Sequence, residues 1–285
     1  MKISLHGHII NPGEDMVCPS EETRKQFNFS DIDCDIILVQ DQYLTKTFDV
    51  KKPIIAWLRE NPDIYEYSNI FSSMPYNPYH YLNNNLDKFD YVLSAFEELQ
   101  PILKEKFIYC PVGGSRISRD QWGIYNKEKL LSIVASNKQW TVGHRLRHMV
   151  IQQLKDKIDV YGNGYNNIID SHGVLGKVYA LAPYYFHLAI MNSPHNGYFT
   201  EVLTDCFATG TIPIFYGCRN ISKYFNPDGI ITFESIPQLI YIVDSLTPEL
   251  YNSKLKAVTE NFEISKKYIT DYDYIYENKI LNNII

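Results

Sequence analysis

The chain has 285 residues, 45% of them hydrophobic, and a formal net charge of −6. This length and apolar content build one large or two ordinary cores and exclude a mostly disordered chain, while the acidic balance excludes a broad nucleic-acid surface and leaves any anionic ligand to a local cluster of cations. The five cysteines (Cys18, Cys34, Cys110, Cys206, Cys218) contain no CxxC pair and fit a reducing, cytoplasmic setting better than a disulfide framework. No window approaches the roughly 20 apolar residues that cross a bilayer, and the start MKISLHGHIINPGED does not read as a signal peptide, so a soluble chain without an integral membrane segment is expected.

In chain order, His6 and His8 share one face of an extended start, a spacing that suits a metal but is commonly incidental. Short β-branched runs then recur at Ile36 to Val39, Pro53 to Leu58, Tyr91 to Ser94, Phe107 to Cys110, Leu131 to Ala135, Ile158 to Tyr161, Phe186 to Ile190, Ile212 to Phe215 and Ile230 to Phe233, with helical or turn-rich segments between them. This alternation predicts an α/β chain with largely parallel sheets. The runs fall into two groups around the polar stretch Gln121 to Lys129, which predicts two Rossmann-like domains, 1–125 and 126–285, the second carrying the C-terminal helices.

Ligands of open α/β sheets sit beyond the carboxyl ends of strands, which directs attention to the strand exits. KPIIAWLRENPD (Lys52 to Asp63) ends a strand in Arg59 and Glu60. The segment Tyr65 to Tyr81 is crowded with Tyr, Pro and Asn, as a sugar-binding loop or an irregular surface loop would be. IYCPVGGSRI (Ile108 to Ile117) sets Gly113, Gly114 and Arg116 after another strand, a tight turn that also allows close backbone approach. From Ser132 the chain gives a strand, a cationic segment and an amphipathic helix whose polar side holds His144, Arg145, Arg147 and His148. An arginine at such a helix start can fork onto a diphosphate; solvation alone also explains these charges. Gly162 and Gly164 leave the next strand as a lone GxG, weak by itself.

The richest stretch is Tyr184 to Gly217: a strand, a polar loop from Asn192 to Tyr198, a helix from Phe199 to Thr209, and a second strand. Phe199, Val202, Leu203, Cys206 and Phe207 fall on one face of that helix and are expected inside, with Thr200, Glu201, Thr204 and Asp205 facing elsewhere. Cys206 therefore reads as core rather than nucleophile. The pairs Asp31-Ile-Asp33 and Asp271-Tyr-Asp273 have the DxD form that can hold a cation, but neither stands at a strand exit and both read as surface charge.

These segments, read in order, resemble the α1,3-fucosyltransferase signature of glycosyltransferase family 10. Phe186 to Ser193 (FHLAIMNS), Gly197 to Glu201 (GYFTE) and Asp205 to Gly217 (DCFATGTIPIFYG) follow the family pattern F-x-L-x-F-E-N, Y-x-T-E-K and T-x-P-I-Y-W-G. The likeness covers most of residues 131 to 235. In the first half it is local, where Trp57 to Pro62 (WLRENP) is similar to an aromatic-x-x-x-E-S-P segment. The resemblance implies a GT-B-like fold of two facing Rossmann-type domains, acceptor-side first and nucleotide-sugar-binding second. It implies an inverting, fucosyltransferase-like enzyme moving a sugar from a nucleoside diphosphate donor, GDP-fucose in preference, to a glycan hydroxyl, with no metal required. Residue by residue it implies Glu60 as general base and Arg147, Gly162, Asn192, Tyr198, Thr200 and Glu201 at the donor, with Arg145 and Lys223 as further candidates.

Two positions depart from the pattern. Met191 stands where the family has Glu, and Val202 where it has Lys, which removes a cation expected beside the diphosphate. Arg145, Lys177, Arg219 and Lys223 are the cations that could replace it. The departures keep two other readings in play, a glycosyltransferase with a different nucleotide-sugar and a catalytically inactive carbohydrate- or nucleotide-binding relative.

Overall fold

The computed structural model describes residues 2–7, 19–28, 32–49, 51–67, 76–162, 165, 176–282 and 284. Among these, two sheets form. The first contains β1 (Ile3–His6), β2 (Phe27–Asn28), β3 (Ile36–Gln40), β4 (Ile54–Leu58), β5 (Tyr91–Ser94) and β6 (Phe107–Tyr109) in the order β2-β1-β3-β4-β5-β6. The second contains β7 (Lys129–Val134), β8 (Asp159–Tyr161), β9 (Tyr184–Ile190), β10 (Ile212–Tyr216) and β11 (Ile231–Thr232) in the order β11-β10-β9-β7-β8. Every described pairing is parallel. Parallel strands are covered on both faces, which is why β3 is apolar along nearly its whole length and buried at all five residues.

Each sheet reverses its winding once, between β1 and β3 and between β7 and β9. The crevice at the carboxyl end of such a reversal is where open α/β sheets hold ligands. The carboxyl ends of the two sheets meet. Phe96, just past β5, stacks on Tyr198 of the post-β9 loop with ring centres 4.8 Å apart. The Tyr109 hydroxyl donates to the Gly197 carbonyl at 2.9 Å, and the Glu97 carboxylate accepts from Asn220 at 2.7 Å and Lys223 at 2.5 Å. One hydrophobic cluster runs across this seam, from Ala95, Phe96 and Ile117 to Leu203, Phe215 and Phe225.

Three expectations change. Strands β1 and β2 were not among the runs read from the sequence: β1 was read only as an extended start, and the two residues of β2 are too short to show a period. The C-terminal helices divide: Leu255–Ser265 places Val258 in the core of the second sheet, whereas Tyr272 and Ile275 of helix Asp271–Glu277, followed by Leu281, pack with Ile3, Leu38 and Trp57 of the first. Asp271 and Asp273, read as surface charge, are consequently 3% and 4% exposed. Asp271 accepts from Arg59 Nε at 2.8 Å, and Asp273 accepts from the Ser20 N–H at 2.9 Å and the Thr23 hydroxyl at 2.6 Å. Third, Thr204 and Asp205 of helix Glu201–Ala208 are fully buried together with Leu203 and Cys206. The loop carrying Gly113 to Ile117 covers the helix's polar side, so its amphipathic pattern does not mark a solvent face.

Cys34, Cys110, Cys206 and Cys218 are buried. Among the described residues no helix is long and apolar enough to cross a membrane, and no group of three His, Cys, Asp or Glu could hold a metal ion. His8, Cys18, Asp31, Gly164 and much of the segment from Tyr65 to Tyr81 lie outside the described residues.

Candidate active site

Glu60 stands two residues beyond β4, where the chain leaves the sheet before helix Pro62–Tyr67. Its neighbour Arg59 turns back over the Trp57 ring, 4.8 Å from it, and onto Asp271. The Glu60 carboxylate stays clear of Arg59, and its Oε1 accepts the N–H of Asn61, the next residue in the chain, at 3.0 Å. Burial raises its pKa above the ordinary carboxylate range, and the charge of Glu201 across the cleft pushes the same way; the Asn61 N–H, Arg59 and Lys138 oppose them. Asn61 itself is fully buried and donates to the Ser193 hydroxyl of the opposing loop.

On the other side, β9 ends at Ile190 and helix Val142–Leu154 approaches its exit closely. A Cβ on Gly143 would lie 1.8 Å from the Met191 carbonyl oxygen, so only glycine fits there. The Gly143 N–H donates to the Asn192 carbonyl at 2.9 Å. Thr141 caps the helix and shares its hydroxyl with His144 Nδ1 at 2.8 Å. Burial and the nearby cations hold the His144 pKa down to about 3, leaving the ring neutral.

One turn into this helix, Arg147 is buried and reaches the strand end, with Nε on the Ile190 carbonyl at 2.9 Å and Nη2 on Asn192 Oδ1 at 3.0 Å. Burial lowers its pKa to about 10 against the opposing pull of Glu201 and Tyr198, so it stays cationic at neutral pH. Arg145 is exposed instead and donates to the carbonyls of Gln139 at 3.2 Å and Trp140 at 3.0 Å.

Thr200 caps helix Glu201–Ala208 and puts Glu201 in its first turn, where the helix dipole favours negative charge. The Thr200 hydroxyl also contacts Met191 Sδ at 3.8 Å. Arg116 Nε lies 3.3 Å from Glu201 Oε1. Burial alone would favour the protonated form of Glu201, but Arg116, Lys177, the Thr200 hydroxyl and Arg147 outweigh it and hold the pKa below the usual carboxylate value.

The structure therefore brings Glu60, Arg147, Asn192, Tyr198 and Glu201 to one cleft, with Thr200 at its edge. Tyr198 sits between the two halves, buried against Phe96 and within the fields of Glu60, Glu201 and Arg147. Gly162, at φ +112, closes the end of β8 against Ala135, whose carbonyl oxygen would lie 2.0 Å from any added Cβ. Lys223 is drawn to Glu97 at the seam, and Lys177 to Asp205 at 2.6 Å.

Sequence reasoning passed over Asn61, Lys138 and Asp41, and it read Arg116 only as part of a glycine turn. Asn61 and Arg116 follow strand exits, and that position is the signal that could have found them. Met191 and Val202 pack in the cluster at the seam, Met191 fully buried and Val202 in part.

The match of a family model described as "Glycosyltransferase family 10 (fucosyltransferase) C-term" spans residues 124–273, more than half of the chain. Among curated relatives, the alpha-(1,3)-fucosyltransferase FucT of Helicobacter pylori is 25% identical over 159 residues, covering 56% of this chain and 32% of that protein. The 4-galactosyl-N-acetylglucosaminide 3-alpha-L-fucosyltransferase 9 of Bos taurus is 25% identical over 170 residues, 58% of this chain and 44% of its own length. The chain thus matches less than half the length of these relatives. Among solved structures, an α1,3-fucosyltransferase with GDP superposes with a TM-score of 0.56 at 16% identity, over 100% of this chain and 91% of that one. Anabaena HepE in complex with UDP gives 0.55 at 11% identity, over 87% of this chain and 79% of that one. At these identities the likeness speaks for the fold, a GT-B-like pair of facing Rossmann-type domains. The chain belongs to glycosyltransferase family 10.

Proposed function

We propose that the chain is an inverting glycosyltransferase that moves fucose from GDP-fucose to a hydroxyl of a glycan acceptor. The observation that carries this reading is the cleft itself, in which a carboxylate of raised pKa, Glu60, faces Glu201 across the carboxyl ends of two parallel sheets, with Tyr198 in the fields of both and of Arg147. Glu60 takes the proton of the acceptor hydroxyl. That oxygen forms a bond to the anomeric carbon as the bond from this carbon to the diphosphate oxygen breaks, and the nucleoside diphosphate leaves with the electron pair from the face opposite the attack. A base with a pKa moved toward neutrality suits this step.

Charge developing on the leaving diphosphate needs fixed donors. Arg147 holds the Asn192 loop in place and brings a positive charge to it, while Glu201, kept ionised, is suited to accept two vicinal hydroxyls of a ribose. Arg116 supplies a cation beside Glu201, in the region where the family pattern has Lys and this chain has Val202. Family membership and the GDP and GDP-fucose complexes of similarly folded α1,3-fucosyltransferases favour GDP-fucose as donor. The apolar packing of Met191 and Val202 motivates the second reading, a different nucleotide-sugar.

Calorimetry with GDP and UDP, followed by a donor-consumption assay, tests both readings. Binding of GDP and consumption of GDP-fucose are expected. Consumption of another donor with GDP-fucose untouched would select the second reading, and binding of neither nucleotide would sink both. Arg147→Ala is expected to weaken GDP binding by about 1.5–3 kcal/mol, the usual worth of hydrogen bonds to a charged group. Arg145→Ala leaves affinity unchanged. Calorimetry on the two variants checks this, and the opposite ranking would move the diphosphate contact to Arg145.

A further inference from the structure

We propose that Asp41 is the positioning residue of the base: its carboxylate fixes the Glu60 peptide from behind and sets a second buried acid beside it. The proposal deepens the reading of Glu60 as base and rests on it. Strands β3 and β4 are parallel neighbours in which Gln40 stands opposite Trp57. Asp41 follows Gln40 at the exit of β3, beside the winding reversal of the first sheet, as Arg59 and Glu60 follow β4. One oxygen, Oδ1, accepts both the Arg59 N–H at 3.1 Å and the Glu60 N–H at 3.4 Å. The Asp41 backbone has φ +25, a region that L residues other than Asn and Asp rarely enter. Its carbonyl is held by the Tyr76 hydroxyl at 3.0 Å. A side chain 7% exposed, in a strained backbone and aimed at two peptide N–H groups, has a fixed place.

Its charge is poorly compensated. Arg59, the nearest cation in sequence to Glu60, is committed to Asp271 from helix Asp271–Glu277. The titratable groups facing the pair are Arg59 itself, Tyr65, Tyr76 and Tyr79 on the first-half side, and Lys138, Tyr198 and Glu201 across the cleft. Burial first, and then the charge of Glu60, raise Asp41 to about 7, with Arg59 and the two N–H groups opposing. The charge of Glu60 acts on Asp41 in the raising direction, and where two carboxylates interact by more than about one pH unit their protons leave in two steps that belong to the pair. In the upper step, ionisation of Asp41 sets a second negative charge behind Glu60 and strengthens it as a base.

The test is Asp41→Asn, which keeps the Oδ1 acceptor and tolerates positive φ. Titration of the ¹³C-labelled Asp and Glu carboxyl groups reads the pair without any substrate. In the wild type, the Glu60 resonance is expected to move in two steps, the upper near neutrality. In Asp41→Asn the upper step disappears, the remaining one lies about one pH unit or more below it, and GDP affinity is unchanged. The acid limb of the pH–rate profile for GDP-fucose turnover shifts downward in the same way. A single wild-type step, or a Glu60 titration in Asp41→Asn that superimposes on the wild type, overturns the proposal; a purely structural role would lower the unfolding midpoint and leave the titration in place. Retained turnover in Glu60→Gln would remove the base reading instead, so the two failures are separate.

Discussion

Glu60→Gln lowers turnover by about 10²- to 10⁴-fold, the range that positioned acid–base catalysis contributes, and leaves GDP affinity intact. Glutamine retains the carbonyl that accepts the Asn61 N–H, so the exit of β4 keeps its shape and only the proton acceptor is lost. Single-turnover kinetics and calorimetry on the same preparation separate the two effects. Retained turnover would move the base elsewhere. The variant also carries a stability signature whose sign is fixed. The folded-state pKa of Glu60 is raised, chiefly by burial, so between the ordinary carboxylate value and the folded one the native state binds more protons than the unfolded state. Stability therefore falls as pH rises through that window. The neutral glutamine does not share this loss, and Glu60→Gln is expected to melt higher than the wild type at neutral pH while being nearly inert.

Asp205→Ala has the largest expected effect on stability. The carboxylate is fully buried, pairs with Lys177 at 2.6 Å, and accepts the Ser115 hydroxyl at 2.7 Å and the Arg116 N–H at 3.0 Å. Truncation leaves a buried ammonium without its counter-charge, at a cost of about 3–5 kcal/mol. Denaturant midpoints check this, and Lys177→Met in the Asp205→Ala background is expected to recover a large part of the loss. If the single variant costs less than about 1 kcal/mol, the ion pair is not the anchor described here. The damage extends to the site, because the same carboxylate holds the loop that carries Arg116 to Glu201. Donor affinity should fall further in Asp205→Ala than in a distant variant of equal stability.

Much of the fold was legible because parallel strands buried on both faces leave apolar runs that survive without an alignment. Strand exits then pointed to Glu60 and to the junction that carries Glu201, and the family resemblance added Arg147 and Asn192. What stayed hidden was non-local. Periodicity tells that helix Asp271–Glu277 has a buried face but not which of two sheets receives it. It also gives no sign that Asp205 meets Lys177 or that the loop around Arg116 covers Thr204. Asp41 was passed over for a similar reason: a lone Asp after a strand is common, and its weight comes from lying one strand away from Glu60. Lys223, suggested by its place in the family-like segment, is claimed by Glu97 from the other half, a partner 126 positions away in the chain.

The return of helix Asp271–Glu277 to the first sheet has a consequence for how the molecule assembles. Asp271 closes on Arg59 over a separation of 212 residues, and Asp273 on Thr23 over 250. Contacts so distant carry a loop-closure cost before they return any stability. The second sheet, complete by Thr232, can gather its own core while the first still lacks its cover over Trp57. The half that carries Glu60 is thus closed over Trp57 by Tyr272 and Ile275, residues far along the chain from the strands they cover.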